Sequence, residues 1–239
     1  MDIIDFNAHM GSWPDIFPDL GTTKIEAEMD AAGIGKAVIS SLSEAFGAHV
    51  PTDANSDRLV PFRSAGPDHD LNDLAQSENI KGVRIYPSYQ AWDFQSPTFS
   101  ALIDLVKSRN WVLQVYLRLW DSRVVPTSEE PSGIIAKLKP VVQSKPGLKL
   151  AFSGINFPEI RDNAEFIEQS AWVDISHLHG PTTSLQMILG MVSASRVLFG
   201  SNMPTYYPYA GVYRLENESI SNFDRRLIAC GNAKNLLDL

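Results

Sequence analysis

Ile3-Ile4-Asp5-Phe6-Asn7-Ala8-His9-Met10-Gly11 opens the chain. An apolar run with polar residues at alternate positions, closed by a glycine, reads as a buried first strand entering a turn. Working outward from that strand (Ile3–Phe6), similar β-branched runs recur at Lys36–Ser40, Leu59–Ser64, Gly82–Tyr86, Trp111–Leu117, Leu148–Phe152, Trp172–Ile175 and Arg196–Phe199. Stretches of helical spacing lie between them, at Thr23–Ala32, Leu71–Ser77, Phe99–Lys107, Ser132–Val142, Glu159–Gln169 and Leu185–Val192, and Ile220–Leu237 closes the chain. Glu44–Asp57 is a further helical candidate, interrupted by Pro51. Strands alternating with helices predict parallel βαβ units. Eight such units in 239 residues favour one closed (β/α)8 barrel domain, residues 1–239, over an open doubly wound sheet.

Composition narrows the function. With 44% hydrophobic residues the chain can bury a sizeable core, and its net charge of -8 argues against a nucleic-acid partner. No apolar run approaches the roughly 20 residues of a membrane span. The start Met1-Asp2 carries no basic segment, so no secretory signal is expected. Cys230 is the only cysteine, which excludes an intrachain disulfide and a cysteine-rich zinc site. A cytoplasmic setting is the expectation. The sequence does not fix an oligomeric state.

In a (β/α)8 barrel the active site lies at the C-terminal strand ends. Strand parity directs Asp5, Asn7 and His9 inward, opposite Ile4, Phe6 and Ala8 on the helix side. The same alternation predicts Arg84 and Tyr86 inside on the fourth strand, and Gln114, Tyr116 and Arg118 on the fifth. Ser153 follows the sixth strand, Asp174 and Ser176 belong to the seventh, and Asn202 follows the eighth. So many polar groups at one mouth predict a wet pocket, because burying each unpaired would cost on the order of 1–3 kcal/mol.

These segments, with Met29-Asp30-Ala31-Ala32-Gly33-Ile34, Lys81-Gly82-Val83-Arg84-Ile85-Tyr86-Pro87, Val197-Leu198-Phe199-Gly200-Ser201-Asn202-Met203-Pro204 and Gly231-Asn232-Ala233-Lys234-Asn235-Leu236-Leu237, resemble nearly end to end the amidohydrolase-related group, which includes metal-dependent decarboxylases and lactone hydrolases. The resemblance implies a metal-dependent-hydrolase-like barrel. In the group, a metal is held by His-x-His on the first strand, histidines after the fifth and sixth, and an aspartate after the eighth. The corresponding positions here are Asn7, His9, Tyr116, Ser153 and Asn202, so only His9 keeps a ligating side chain. Zinc or manganese wants three or four imidazole, carboxylate or thiolate ligands, and an amide cannot serve as the general base an aspartate would be. No cofactor is expected. The alternative is one zinc or manganese ion at a rearranged site of His9, His177 and His179, although His177 has helix-side parity and His179 sits in a glycine–proline turn.

Arg118-Leu119-Trp120-Asp121-Ser122-Arg123 suggests an anion clamp completed by Arg84, because a forked guanidinium binds carboxylate or phosphate bidentately. Its rival is an internal ion-pair network in which Asp121 and Asp174 consume the charges. The tyrosines at 206, 207, 209 and 213 are expected to pack on the barrel top or at a subunit contact, with an aromatic lid as the other option, and Trp13-Pro14 either walls the pocket or turns the chain. Two functions follow. One is a metal-independent enzyme that hydrolyses or lyses a small anionic substrate. In it His9 moves protons, Asn7, Asn202 and Tyr86 orient substrate or stabilise an oxyanion, and Arg84, Arg118 and Arg123 clamp the anion. The other is a catalytically inactive ligand-binding or scaffold homologue.

Overall fold

Eight parallel strands pair in sequence order, β1 (Ile4–Met10), β2 (Lys36–Ser41), β3 (Leu59–Ala65), β4 (Gly82–Ile85), β5 (Val112–Tyr116), β6 (Lys149–Ser153), β7 (Trp172–Asp174) and β8 (Val197–Leu198), in a computed structural model. The structure describes residues 1–11, 21–46, 54–124 and 126–239. Trp13 and Pro14 lie outside them, as does Val125. Phe6 N donates to Phe199 O and His9 N to Met203 O, both at 2.8 Å, so the chain after β8 returns to β1 and the sheet closes. The (β/α)8 barrel expected from the sequence is the fold.

Helices follow the strands: α1 (Thr22–Ala32), α2 (Leu42–Ala45), α3 (Leu71–Ala75), α4 (Pro97–Ser108), α5 (Pro131–Gln143), α6 (Phe157–Asp162), α7 (Ala164–Ser170), α8 (Ser184–Leu189), α9 (Pro208–Asn217), α10 (Asn222–Arg226) and α11 (Asn232–Leu237). Local chemistry starts and stops them. Ser96 caps α4 by accepting from Phe99 N, Pro97 fills the first turn, and the helix buries Phe99, Leu102, Ile103 and Val106. Gly33 ends α1 in the left-handed region, at φ 71°. The helix expected over Glu159–Gln169 is divided at Asn163 into α6 and α7. The closing helix carries a π turn at Leu227–Gly231, from which Ile228 O accepts Phe199 N. Of the Glu44–Asp57 candidate, only the end of α2 falls in a described helix, and residues 47–53 lie outside the described set.

Strand β1 departs from simple alternation. Asp5 lies opposite Ala37 and Ala8 opposite Ile39, so β1 spends one more residue than β2 in a bulge. Before the bulge, Ile4 and Phe6 join Val38, Val60, Phe62, Val112, Ala151 and Leu198 in an apolar layer, closed by Ala233, Leu236 and Leu237 of α11. The expectation that Ile4 and Phe6 face the helices is therefore wrong, because the extra residue switches parity in mid-strand. Beyond it Ala8 belongs to the helix-facing core, while the Asn7 and His9 side chains reach Ser176 and Arg84. Among the described residues, no helix is long and apolar enough to cross a membrane.

Candidate functional site

Above the apolar layer the barrel is filled by polar side chains around one cation. Arg84, on β4, is fully buried. Its Nε donates to Gln114 Oε1 at 2.8 Å, and its Nη1 lies 2.9 Å from both Ala8 O and His9 Nδ1. Nη2 has no hydrogen-bond partner. Gln114 is held in turn by donating to Phe6 O at 3.1 Å and Ser153 Oγ at 2.5 Å. Asn7 donates through Nδ2 to Ser176 Oγ at 3.1 Å, and Ser176 N donates to Asp174 Oδ1 at 2.9 Å. Tyr116 OH donates to Asn202 Oδ1, and Asn202 Nδ2 donates to Leu119 O at 2.9 Å, which uses both ends of that amide. Asn202 has φ 58°, and the Tyr86 hydroxyl lies 3.1 Å from Ser40 Oγ.

The sequence-predicted residues Asn7, His9, Arg84, Tyr86, Gln114, Tyr116, Ser153, Asp174, Ser176 and Asn202 do come together. The cluster around Arg84 is closed, and the cavity at this end of the barrel lies beside it, lined by Arg118, Asp121, His177, His179 and Tyr206. His9, Arg84, Tyr86, Gln114, Tyr116, Ser153 and Asn202 are fully buried, and Tyr86 and Tyr116 pack with Leu42, Ala45 and Leu119. These groups mostly bond one another. Asn7 Oδ1, His9 Nε2, Arg84 Nη2 and Asp174 Oδ2 are the exceptions, each buried without a partner. Such atoms are rare in folded proteins, where nearly all buried polar groups are satisfied.

Burial shapes the electrostatics. His9 is held well below the usual histidine range by desolvation first and by Arg84 second, against the opposing Asn202 side chain. Desolvation raises the Asp174 carboxyl, while Ser153, Ser176 and Arg84 oppose the rise. Asp5 is pushed up to about 7, mainly by burial, although Ser201 and the Asn7 amide hydrogen-bond it. Tyr116 stands well above the usual phenol value, again by burial.

Arg118 and Arg123 are not at this centre. Arg118 is gripped by the Glu159 carboxylate, with Nη1 2.7 Å from Oε2 and Nη2 2.5 Å from Oε1, and Nη1 also donates to Gly154 O at 2.8 Å. Arg123 is 88% exposed and pairs with Asp121 two residues away. Both arginines of the expected anion clamp are thus engaged in local ion pairs. Asp121 does consume Arg123, but the partner of Arg118 is Glu159, and Asp174 bonds neither arginine. Glu159 was missed, although Asn156-Phe157-Pro158-Glu159 carries the capping-box spacing that places it beside the loop.

His177 and His179 meet each other at 5.3 Å between ring centres and meet Tyr206 at 5.3 and 4.9 Å, whereas His9 packs against Tyr116 at 5.0 Å. Among the described residues, no three His, Cys, Asp or Glu side chains gather to hold a metal ion. The positions that the resemblance assigns to a metal carry one imidazole and no carboxylate or thiolate. Two are amides, with Asn202 already engaged, one is the buried Tyr116 phenol, one is the Ser153 hydroxyl, and the single imidazole, His9, abuts a guanidinium. Of the tyrosines, Tyr207, Tyr209 and Tyr213 face solvent, and the last two lie on α9 rather than in a loop.

Solved structures with this architecture are similar over essentially the whole chain. A dihydroxybenzoic acid decarboxylase from a Polaromonas species, bound to manganese and the inhibitor 2-nitroresorcinol, matches with TM-score 0.78 at 16% identity, covering 100% of this chain and 97% of that one. The chain shares its fold with this amidohydrolase-related group. The 5-carboxyvanillate decarboxylase of Sphingomonas paucimobilis matches with TM-score 0.78 at 13% identity over 100% and 99% of the two chains. A probable 2-pyrone-4,6-dicarboxylic acid hydrolase from Acinetobacter baumannii, with citric acid bound, gives TM-score 0.72 at 14% identity over 100% of both. The sequence itself matches no family description and no curated protein.

Proposed function

We propose that this barrel takes a small carboxylate-bearing molecule at the centre of its C-terminal mouth and acts on it, by lysis or hydrolysis, without a resident metal. The observation that carries the reading is Arg84. It is a fully buried guanidinium whose direct partners, Gln114, Ala8 and His9, are all neutral, and whose Nη2 is unspent. An isolated buried cation costs several kcal/mol, and a forked anion is its natural complement. The orphaned Asn7 Oδ1 and Asp174 Oδ2 supply acceptors for a hydroxyl or amine on the same molecule. Similar structures were solved with 2,6-dihydroxybenzoate and with citric acid, both carboxylates, which gives the chemical class to begin with. The test is calorimetric titration of hydroxybenzoates and citrate into the wild type and Arg84→Met, with product analysis of the same mixtures. Carboxylate binding lost in the variant supports the reading, and equal binding in both sinks it.

One observation favours an inactive binding homologue instead. The residues around Arg84 are sealed, and both ends of Asn202 are used inside the fold. Binding without any product would select that alternative.

A further inference from the structure

Arg84 Nη1 carries two hydrogens. One serves Ala8 O and the other His9 Nδ1, each at 2.9 Å. A guanidinium has N–H groups and no lone pair to offer, and arginine stays protonated in proteins. The second contact is a hydrogen bond only if Nδ1 accepts. A doubly protonated ring would set N–H against N–H. The single ring proton then belongs to Nε2, which is buried and makes no hydrogen bond.

We infer that Arg84 fixes His9 as the neutral Nε2–H tautomer, making it a hydrogen-bond donor inside the barrel and barring its Nε2 as a lone-pair donor to a metal. The inference rests on this geometry and stands whether or not a carboxylate binds. A metal-ligating histidine typically gives its other N–H to a carboxylate, carbonyl or water, and that acceptor frees the ligating nitrogen. Here the arrangement is inverted, because the outer partner is itself a donor. The guanidinium cannot readily turn away, since Nε is bound to Gln114 at 2.8 Å and Gln114 is pinned by Phe6 O and Ser153. Arg84 is therefore a positioning residue for His9. A shift in the anchoring residue would be felt as a change of proton location rather than as a loss of packing alone.

The test is long-range proton–nitrogen correlation NMR on the full chain labelled with 15N-histidine, with His9 assigned by the signal lost in His9→Gln. The expected spectrum shows a protonated Nε2 and a bare Nδ1 for His9, unmoved when zinc chloride is added. Arg84→Met should blur that pattern into a tautomer average, and Arg84→Lys, which keeps a cationic donor, should restore it. A wild-type proton on Nδ1 or on both nitrogens, or a zinc-induced shift at His9, overturns the inference. So does an Arg84→Met spectrum identical to wild type. The wild-type spectrum decides the matter even if neither variant folds.

Discussion

Asp5→Asn separates the charge of Asp5 from its hydrogen bonds, and its effect should depend steeply on pH. Asp5 Oδ1 accepts from Asn7 N and Ser201 N, both at 2.9 Å, and Oδ2 accepts from the Ser201 hydroxyl. Burial outweighs these three bonds and lifts the carboxyl from 3.8 to about 7. A raised native value means that the folded chain holds the proton over a range where the unfolded chain has released it. The stability from this group is then full below the unfolded value and is lost as pH rises through about 7. Between about pH 5 and pH 8 the native carboxyl ionises near 7, which is some two pH units of penalty at about 1.4 kcal/mol each, or about 3 kcal/mol. His9, His177 and His179 act in the opposite sense. Their native values are lowered, so they cost stability as pH falls below the histidine range. The wild-type profile alone is a contest between these effects, and the difference between the two proteins isolates Asp5. Urea unfolding of wild type and Asp5→Asn, at fixed salt and at about pH 5 and pH 8, measures it. The wild-type advantage should shrink by about 3 kcal/mol toward the higher pH. A gap that stays constant within about 0.5 kcal/mol would refute the argument and place the Asp5 carboxylate among groups fully compensated by their hydrogen bonds.

Arg118→Ala breaks a mostly buried bidentate pair and should lower unfolding stability by about 2–4 kcal/mol in denaturant titration, yet leave carboxylate affinity unchanged. An affinity loss would restore Arg118 to the site. Arg123→Ala should alter neither the melting temperature nor binding, since the residue and its pair with Asp121 are exposed. Gly82→Ala would drive a methyl into the Phe62 ring and set it 2.6 Å from Val112 O. A cost of about 2–3 kcal/mol in thermal unfolding is expected, and a neutral result would mean that the apolar barrel layer yields.

The barrel was legible because alternating strand and helix periodicities come from backbone geometry, which eight short β-branched runs express directly. The bulge in β1 was not. Nothing in Asp5-Phe6-Asn7 marks the extra residue, so one parity was carried through a strand in which both Phe6 and Asn7 pack inside. Helix α9 was hidden by its tyrosines, although Pro208 is a fitting first-turn residue. The members of the site could be predicted from inward parity on β4 to β7. Their hydration could not, because it depends on which polar groups choose each other. Gln114 turning its oxygen to Arg84 on the neighbouring strand, or Tyr116 reaching Asn202 across the barrel, is a pairing over 30 and 86 residues that no local pattern encodes.

The same pairings give Arg84 its significance. The cation lies 5.7 Å from the centre of the Tyr116 ring and has three polar contacts, which offset part of its desolvation. A core that needed only volume there would hold methionine or leucine at lower cost, since replacing buried ionic groups by apolar ones is often neutral or stabilising. Asp174 would be the obvious counter-ion and feels the Arg84 charge, yet it makes no hydrogen bond to the guanidinium. Among the described residues no carboxylate reaches Arg84, and Oδ2 of Asp174 is itself unpartnered. A structural ion pair would have closed that gap. Leaving an unspent donor and an unspent acceptor inside one barrel makes sense for a molecule that presents an anion to the first and a hydroxyl or amine to the second. On this argument, Asp174→Asn should weaken a hydroxylated carboxylate more than its hydroxyl-free analogue, and equal weakening of both would show that the two orphaned groups do not share a ligand.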